Sequence, residues 1–355
     1  MKINVLIPFI PVKPGGGLRV MFEYANHLVA LGHDVTFYFP IKVSYIMQSG
    51  VKMALKYLYY KTTQPKVPEW FELDKKITIR YIYSINNNTI KDGDIVFSTW
   101  WVLMFDIKRL SSSKGTPFNL IQDIENWTGN EDAVLKSYTV AKSENVVIAN
   151  YLYKYIKQVT GVYPHKVSFA IDHNKYYAKV NIAERNPLTI CMLYSTEPRK
   201  GSIYGLEALR ILKKANPELK AYLFSVSLRP ESIDDWIEFY YNYSDIPEIY
   251  NQSAIFLGPS VQEGCALPPM EALYCGCAVV CTDIDGHKDY GIDRETVLMA
   301  RPQSAEDLAE KVQYLIDDNL FRIDLATRAN KFVNEYTWKR STKELDEIFK
   351  LRVKK

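Results

Sequence analysis

Apolar runs of strand length alternate with segments of helical period from one end of the chain to the other. Lys2 to Ile10 reads as a strand, Leu18 to Leu31 as an amphipathic helix, and Asp34 to Phe39 as a second strand after the Gly32-His33 turn. Asp94 to Trp101 (DIVFSTWW) and Phe118 to Asp123 read as further strands. A second series follows residues 171 to 187: strand Leu188 to Leu193, helix Ser202 to Lys214, strand Leu219 to Val226, short helix Ile246 to Tyr250, and strand Ile255 to Leu257. Pro268 and Pro269 then suit a first helical turn, and the helix runs to Cys275 and stops at Gly276. This alternation predicts an α/β chain with parallel sheets.

Length and charge narrow the picture. A chain of 355 residues with 47% apolar content suits two domains, each with its own core. The net charge of +3 leaves no electrostatic footprint for nucleic acid, and no nucleic-acid-binding motif stands out. No apolar run reaches the ~18 residues of a membrane span. MKINVLIPFIP is short and leads into Gly-rich sequence, so it reads as a first strand and not a signal peptide, and cytoplasmic residence is expected. Four of the five cysteines (Cys265, Cys275, Cys277, Cys281) crowd one segment, but no Cys-x-x-Cys pair exists and these positions suit small buried slots. No metal site is expected, and Asn126-Trp127-Thr128 reads as a chance glycosylation match.

The densest chemistry lies in residues 259 to 281, PSVQEGCALPPMEALYCGCAVVC. Glu263 falls in a loop after a buried strand, and Glu271 near a helix start. Ahead of that start, the backbone amides of Cys265, Ala266 and Leu267, with the helix dipole behind them, suit a diphosphate. The two carboxylates then suit hydroxyls at the two ends of a nucleotide sugar, Glu263 the sugar and Glu271 the ribose. The plainer alternative is a dipole-complementing Glu271 and a solvated Glu263.

Pro259, Ser260, Glu263, Gly264, Leu267, Pro268, Glu271, Ala272, Gly276 and Val279-Val280 stand in register with a known pattern. The stretch resembles the donor-site signature of the family 4 retaining glycosyltransferases (glycosyl transferases group 1). Cys265 stands where the family has an aromatic, and Ala266 where it has Gly. The resemblance implies the GT-B fold: two facing Rossmann-like domains with parallel sheets and a C-terminal crossover helix. Residues 1–170 are then the acceptor side, 171–340 the nucleotide-sugar donor side, and 341–355 the helix crossing back. Ile171-Asp172 resembles the family's hinge, and Tyr336-Thr337-Trp338 the aromatic-x-Trp before its last helix.

Other segments are read beside this. Gly15, Gly16 and Gly17 precede a helix but lack GxGxxG spacing, and the second strand ends at Phe39-Pro40 with no acid for a ribose, which excludes a dinucleotide site. Lys200-Gly201-Ser202 lacks the Gly-rich loop of a Walker A sequence. In the family a similar glycine loop faces the donor phosphates, and Lys200-Gly201 matches a family Lys-Gly. The family's Arg lies five residues before that Lys, where this chain has Ser195; Arg199 either substitutes for it in a diphosphate grip or is a plain solvated cation. Relatives place a His near the reacting sugar, and no such His is found here. Asp123, Glu125, Asn126 or Trp127 are the acceptor-side candidates instead, against a structural strand end. Ile41 to Val67 holds Lys42, Lys52, Lys56, Lys61 and Lys66 and no acid, and suits either an anionic bilayer or an ordinary wet helix face.

The expected activity is transfer of a sugar from a nucleoside diphosphate sugar to a glycan or lipid-linked hydroxyl acceptor, without metal or cofactor, with peripheral membrane contact at the inner face. Asp283-Ile284-Asp285 superficially resembles a metal-binding Asp-x-Asp, but cations and helix N-termini suffice for the leaving diphosphate. Two alternatives stay open: a nucleotide-sugar epimerase or hydrolase, and a non-catalytic sugar-nucleotide or glycan-binding partner of an assembly complex.

Overall fold

A computed structural model describes residues 1–45, 50–65, 68–125 and 129–353. Asn126 and Trp127 of the acceptor-side candidates, with Thr128, and Lys66 of the basic segment lie outside the described residues. The chain forms two units, Met1–Phe169 with Trp338–Lys355, and Ala170–Thr337.

The first unit contains β1 (Lys2–Leu6), α1 (Gly16–Ala30), β2 (Asp34–Lys42), α2 (Val51–Thr63), β3 (Thr78–Ser84), β4 (Ile95–Thr99), α3 (Met104–Ile107), β5 (Thr116–Ile121), α4 (Glu131–Val140), β6 (Glu144–Val147), α5 (Asn150–Thr160) and β7 (His165–Lys166). Its described strands pair in parallel in the order β3-β2-β1-β4-β5-β6-β7. In the centre, β4 (IVFST) is buried at every residue, as expected for a parallel strand covered on both faces. The chain order reverses between β1 and β4, and side chains beyond their carboxyl ends enter the crevice this leaves.

The second unit contains β8 (Thr189–Leu193), α6 (Ser202–Ala215), β9 (Lys220–Ser225), β10 (Ile237–Tyr241), α7 (Ile246–Asn251), β11 (Ile255–Gly258), α8 (Leu267–Tyr274), β12 (Ala278–Thr282), β13 (Leu298–Ala300), α9 (Ala305–Asp317) and α10 (Asn319–Val333). Its order is β10-β9-β8-β11-β12-β13, again parallel, with the reversal between β8 and β11. A bridge between Ile171 and Thr337 ties the entry of this unit to its exit. Both units are Rossmann-like, the architecture expected from the strand-helix alternation.

The last helix, α11 (Trp338–Val353), belongs to the first unit. It begins at Trp338, whose indole is buried against Tyr24 of α1, ring centroids 5.1 Å apart. The Tyr24 hydroxyl bonds Ser341 at 2.7 Å, and Phe349 packs edge-on against Phe97 of β4 and Phe118 of β5. At the end of α1, His33 Nδ1 lies 3.1 Å from the N-terminal amine while Nε2 lies 2.8 Å from Asp346 Oδ1.

One buried cation organises the second unit. Arg185, 5% exposed, donates from Nη1 to the Tyr250 and Ser253 carbonyls at 3.3 and 3.1 Å. Nη2 donates to the carbonyls of Cys275 and Val180 at 2.6 and 3.0 Å and to Asn251 Oδ1 at 3.3 Å. These carbonyls include the C-terminal ends of α7 and α8, where unsatisfied acceptors and the helix dipole both favour a cation. Arg185→Met fills much of the space but orphans the acceptors, and is expected to cost about 3–5 kcal/mol. The check is urea denaturation of the full chain, where the transition of the second unit moves to lower urea and that of the first does not.

Candidate functional site

The loops at the carboxyl ends of β8 and β11 meet at the sheet's switch point. Gly201, with φ of +62°, closes the first loop, and a Cβ there would stand 2.0 Å from the Pro259 carbonyl oxygen of the second. Both the left-handed backbone and the close approach require glycine. The Arg199 carbonyl accepts from the amides of Val261 and Gln262 at 2.8 and 3.2 Å, which locks the two loops together.

This contact brings Lys200 onto Glu263. The ammonium donates to Oε1 and Oε2 at 2.7 and 2.9 Å, and the Ser260 hydroxyl donates to Oε1 at 2.8 Å. Glu263 is 9% exposed, so these donors replace the water its charge would otherwise need. Arg199 donates to Glu197 at 2.8 Å and lies 3.7 Å from Glu263, at the rim. A narrow cleft lies beside them, lined by Lys200, Ser260, Glu263, Pro268 and Pro269 with the end of β11.

Glu271, 6% exposed, lies on α8, where the Tyr250 hydroxyl of α7 donates to its Oε2 at 3.0 Å. Burial first, and the adjacent Glu271 charge second, push the Tyr250 phenol well above its usual range, so it stays a donor. Ala266 is the N-cap of α8 with no side-chain cap, and Pro268 and Pro269 carry no N–H, so the amides at the opening of the helix belong to Cys265, Ala266 and Leu267. At the far end, Asn330 donates to the carbonyls of Leu273 and Tyr274 at 2.9 and 2.8 Å, beside Arg185 on Cys275. The helix is gripped at its C-terminus and presents its N-terminus next to the Glu263 loop. Gly264 is buried in that loop.

His287 also belongs to this region, although the sequence placed it beyond the donor stretch. It is fully buried, and its Nδ1–H donates to the Thr282 carbonyl at 2.7 Å. Nε2 has no partner among the described residues. Burial lowers its pKa, with Glu263 and Lys200 acting on it in opposite senses, so it stays neutral. Its neighbour Gly286 packs on the Glu263 backbone, where a Cβ would meet the Glu263 carbonyl oxygen at 2.3 Å. The Asp-Gly-His sequence just after the apolar β12 was the available signal.

Among the described residues no three His, Cys, Asp or Glu side chains gather as a metal-binding set, and Cys275, Cys277 and Cys281 are buried free thiols. Asp283 and Asp285 are paired to Lys288, at 3.3 and 3.6 Å.

In the first unit, Gly16 and Gly17 are the opening residues of α1 and Gly15 is its extended N-cap, with φ of −156°. None needs a left-handed backbone. Gly17 serves close approach instead: the Gln122 amide donates to its carbonyl at 3.0 Å and to Thr99 Oγ1 at 3.1 Å, and a Cβ on Gly17 would stand 3.3 Å from Gln122 Nε2. At the same β1/β4 crevice, Trp100 has φ of +75°, a strained position for an aromatic residue, and its ring meets Phe9 edge-on at 5.8 Å. The Trp101 amide donates to Glu125 at 3.2 Å, and the Tyr151 hydroxyl donates to Asp123 at 3.1 Å.

Burial, reinforced by the neighbouring Asp123 charge, lifts the Glu125 carboxyl from 4.5 to about 8. A raised carboxyl favours the folded state fully below pH 4.5, and that contribution is lost as pH rises through about 8. Glu125→Gln keeps an acceptor for the Trp101 amide and removes the titration. Its stability relative to the native chain is therefore expected to rise by about 1–3 kcal/mol between mildly acidic pH and pH 9, allowing for partial solvent screening. Thermal melts across that range check it; a constant difference would contradict the assignment.

Comparison with known proteins places this geometry. Residues 229–332 match the family described as glycosyl transferases group 1. The N,N'-diacetylbacillosaminyl-diphospho-undecaprenol alpha-1,3-N-acetylgalactosaminyltransferase of Campylobacter jejuni is 34% identical over 93 residues, 26% of this chain and 25% of that protein. The O-antigen chain mannosyltransferase B of Escherichia coli is 25% identical over 120 residues, 33% of this chain and 31% of its own length. The chain thus spans about a fifth to a third of the curated relatives it matches. Among solved structures, Anabaena HepE in complex with UDP superposes with a TM-score of 0.76 at 14% identity, covering 99% of this chain and 100% of that one. Sucrose-phosphate synthase from Thermosynechococcus elongatus gives 0.74 at 14% identity, covering 99% and 98%. The chain has the GT-B fold, and residues 229–332 of its second unit are similar to the glycosyl transferases group 1 family.

Proposed function

We propose that the protein transfers a sugar from a nucleoside diphosphate sugar to a hydroxyl of a glycan or lipid-linked acceptor, with retention at the anomeric carbon and without a metal. The observation that carries this reading is the pair of buried carboxylates, Glu263 and Glu271, on either side of the α8 N-terminus at the β8/β11 switch point. Glu263 would take hydroxyls of the transferred sugar and Glu271 those of the ribose. Lys200, Arg199 and the opening amides of α8 (Cys265, Ala266, Leu267, after Gly264) would neutralise the diphosphate. The proposal also assigns Gly15, Gly16 and Gly17 to phosphate contact, and Asp123 and Glu125 to the acceptor side.

In the step itself, the bond from the anomeric carbon to the phosphate oxygen breaks as the acceptor oxygen bonds that carbon on the same face. The departing phosphate takes the acceptor proton, so no protein base is needed. The UDP named with HepE and the diphospho-undecaprenol in the name of the Campylobacter relative support these donor and acceptor classes. Peripheral placement at a cytoplasmic membrane face fits a lipid-linked acceptor.

Calorimetry with UDP, GDP, TDP and ADP, each with and without EDTA, is expected to show metal-independent binding of one nucleotide. Glu271→Ala is expected to weaken that nucleotide's binding about 10–100-fold, the worth of a charged hydrogen-bonding partner. Glu263→Ala is expected to leave nucleotide affinity within a few-fold and to remove most transfer from the matching nucleotide sugar. Equal donor affinity and turnover in all three proteins would sink the assignment, and binding by none of the four nucleotides would favour a non-catalytic partner.

A further inference from the structure

Helix α2 reverses the usual arrangement of a surface helix. None of its 13 residues is buried, and its apolar side chains are among the most exposed in the chain: Val51 at 77%, Leu55 at 61% and Leu58 at 56%. Val51, Leu55, Leu58 and Thr62 follow i, i+4, i+7, i+11 spacing and so form one stripe along the helix. The opposite stripe, Met53, Tyr57 and Tyr60, is the partly covered one. Tyr57 meets Tyr83 at 5.8 Å and Tyr60 meets Tyr81 at 5.2 Å, both on β3, the edge strand of the sheet. The helix is therefore seated on the domain by its tyrosines and turns a second apolar face to solvent.

The lysines say what that face meets. At 100° per residue, Lys52 and Lys56 fall on one flank of the exposed stripe and Lys61 on the other. All three are exposed. No acidic residue occurs between Asp34 and Glu69 to offset them. An apolar stripe about 10 Å long, bordered on both sides by cations on long aliphatic stems, matches an interface with acyl chains at its centre and anionic headgroups at its edges. A protein groove would need matched acidic residues on both rims, whereas an anionic lipid surface supplies them everywhere.

We propose that α2 is the membrane-docking element of this protein, lying in the plane of an anionic bilayer with Val51, Leu55 and Leu58 inserted and Lys52, Lys56 and Lys61 on the phosphates. The inference rests on the exposure of α2 and is independent of the donor reading.

The test is co-sedimentation of the full chain with vesicles of phosphatidylcholine, alone or mixed with phosphatidylglycerol. Binding is expected to be at least tenfold tighter to the mixed vesicles and to weaken with salt. Lys52→Gln, Lys56→Gln and Lys61→Gln together are expected to abolish the lipid preference. Leu55→Ser with Leu58→Ser is expected to reduce binding at least tenfold, while circular dichroism and nucleotide binding stay at the native level because both positions are exposed. Tyr59→Trp is expected to shift its emission to the blue on mixed vesicles only. Equal sedimentation with both vesicle types, or unchanged sedimentation of the leucine variant, overturns the proposal. So does self-association in solution that the leucine variant abolishes, since a second copy then covers the face.

Discussion

Arg185 is the interaction on which the geometry of the second unit depends. Its guanidinium lies in an interior where an uncompensated charge is costly, and it is tolerated because carbonyls from the ends of α7 and α8 converge on it. That convergence fixes the two helices relative to each other. Tyr250 of α7 can then reach Glu271 of α8, and a carboxylate buried on a helix keeps a donor in place of water. Arg322 lies behind it, donating to the carbonyls of Ile182 and Arg185, and the nearby positive charge of Arg185 adds to burial in holding its pKa down to about 10. The segment that enters the unit thus becomes part of its core.

The second constraint is steric. The β8 and β11 loops approach so closely at Gly201 and Pro259 that no side chain fits, and Gly205 does the same one turn into α6, where a Cβ would stand 2.3 Å from Met192 Sδ. Close approach makes the Lys200 to Glu263 pair a consequence of backbone packing, not of a search by two long side chains. The entropy that discounts most exposed ion pairs is largely removed in advance.

The sequence was most legible where function is written locally. Strand-helix alternation was enough for the two parallel sheets, and one continuous stretch held Glu263, Gly264, Glu271 and the proline-led helix. Less legible were features built by distant residues. Tyr250 stands 21 residues before its carboxylate, and Arg185 reaches Cys275 across 90 residues. The edge strand β3 and the strand β10 carry mixed, half-exposed patterns, because an edge lacks the two-sided burial that marks a parallel strand in sequence. The three glycines before Leu18 suggested a loop. Gly16 and Gly17 are instead helical, and the missing side chain of Gly17 answers the approach of Gln122 rather than a turn. His287 was set aside as lying beyond the donor stretch, because a histidine after a strand is unremarkable until the loop folds back onto Glu263.

The pairing of Lys200 with Glu263 also sets a condition on any anionic ligand. In the structure the two charges cancel, and Ser260 completes the carboxylate's donors. A diphosphate at the α8 N-terminus would draw the ammonium towards itself and leave Glu263 short of donors in a site where unpaired charge is costly. Sugar hydroxyls are the compensating donors, and inorganic diphosphate has none. The same coupling would therefore make a complete nucleotide sugar a better ligand than the sum of its parts, because the sugar repairs the carboxylate that the phosphates disturb. Neutral His287, behind the loop, adds no positive charge that would relieve the carboxylate on its own. On the proposed function, selectivity for an intact donor would then follow from one lysine shared between two anions, with the sugar deciding which of them it serves.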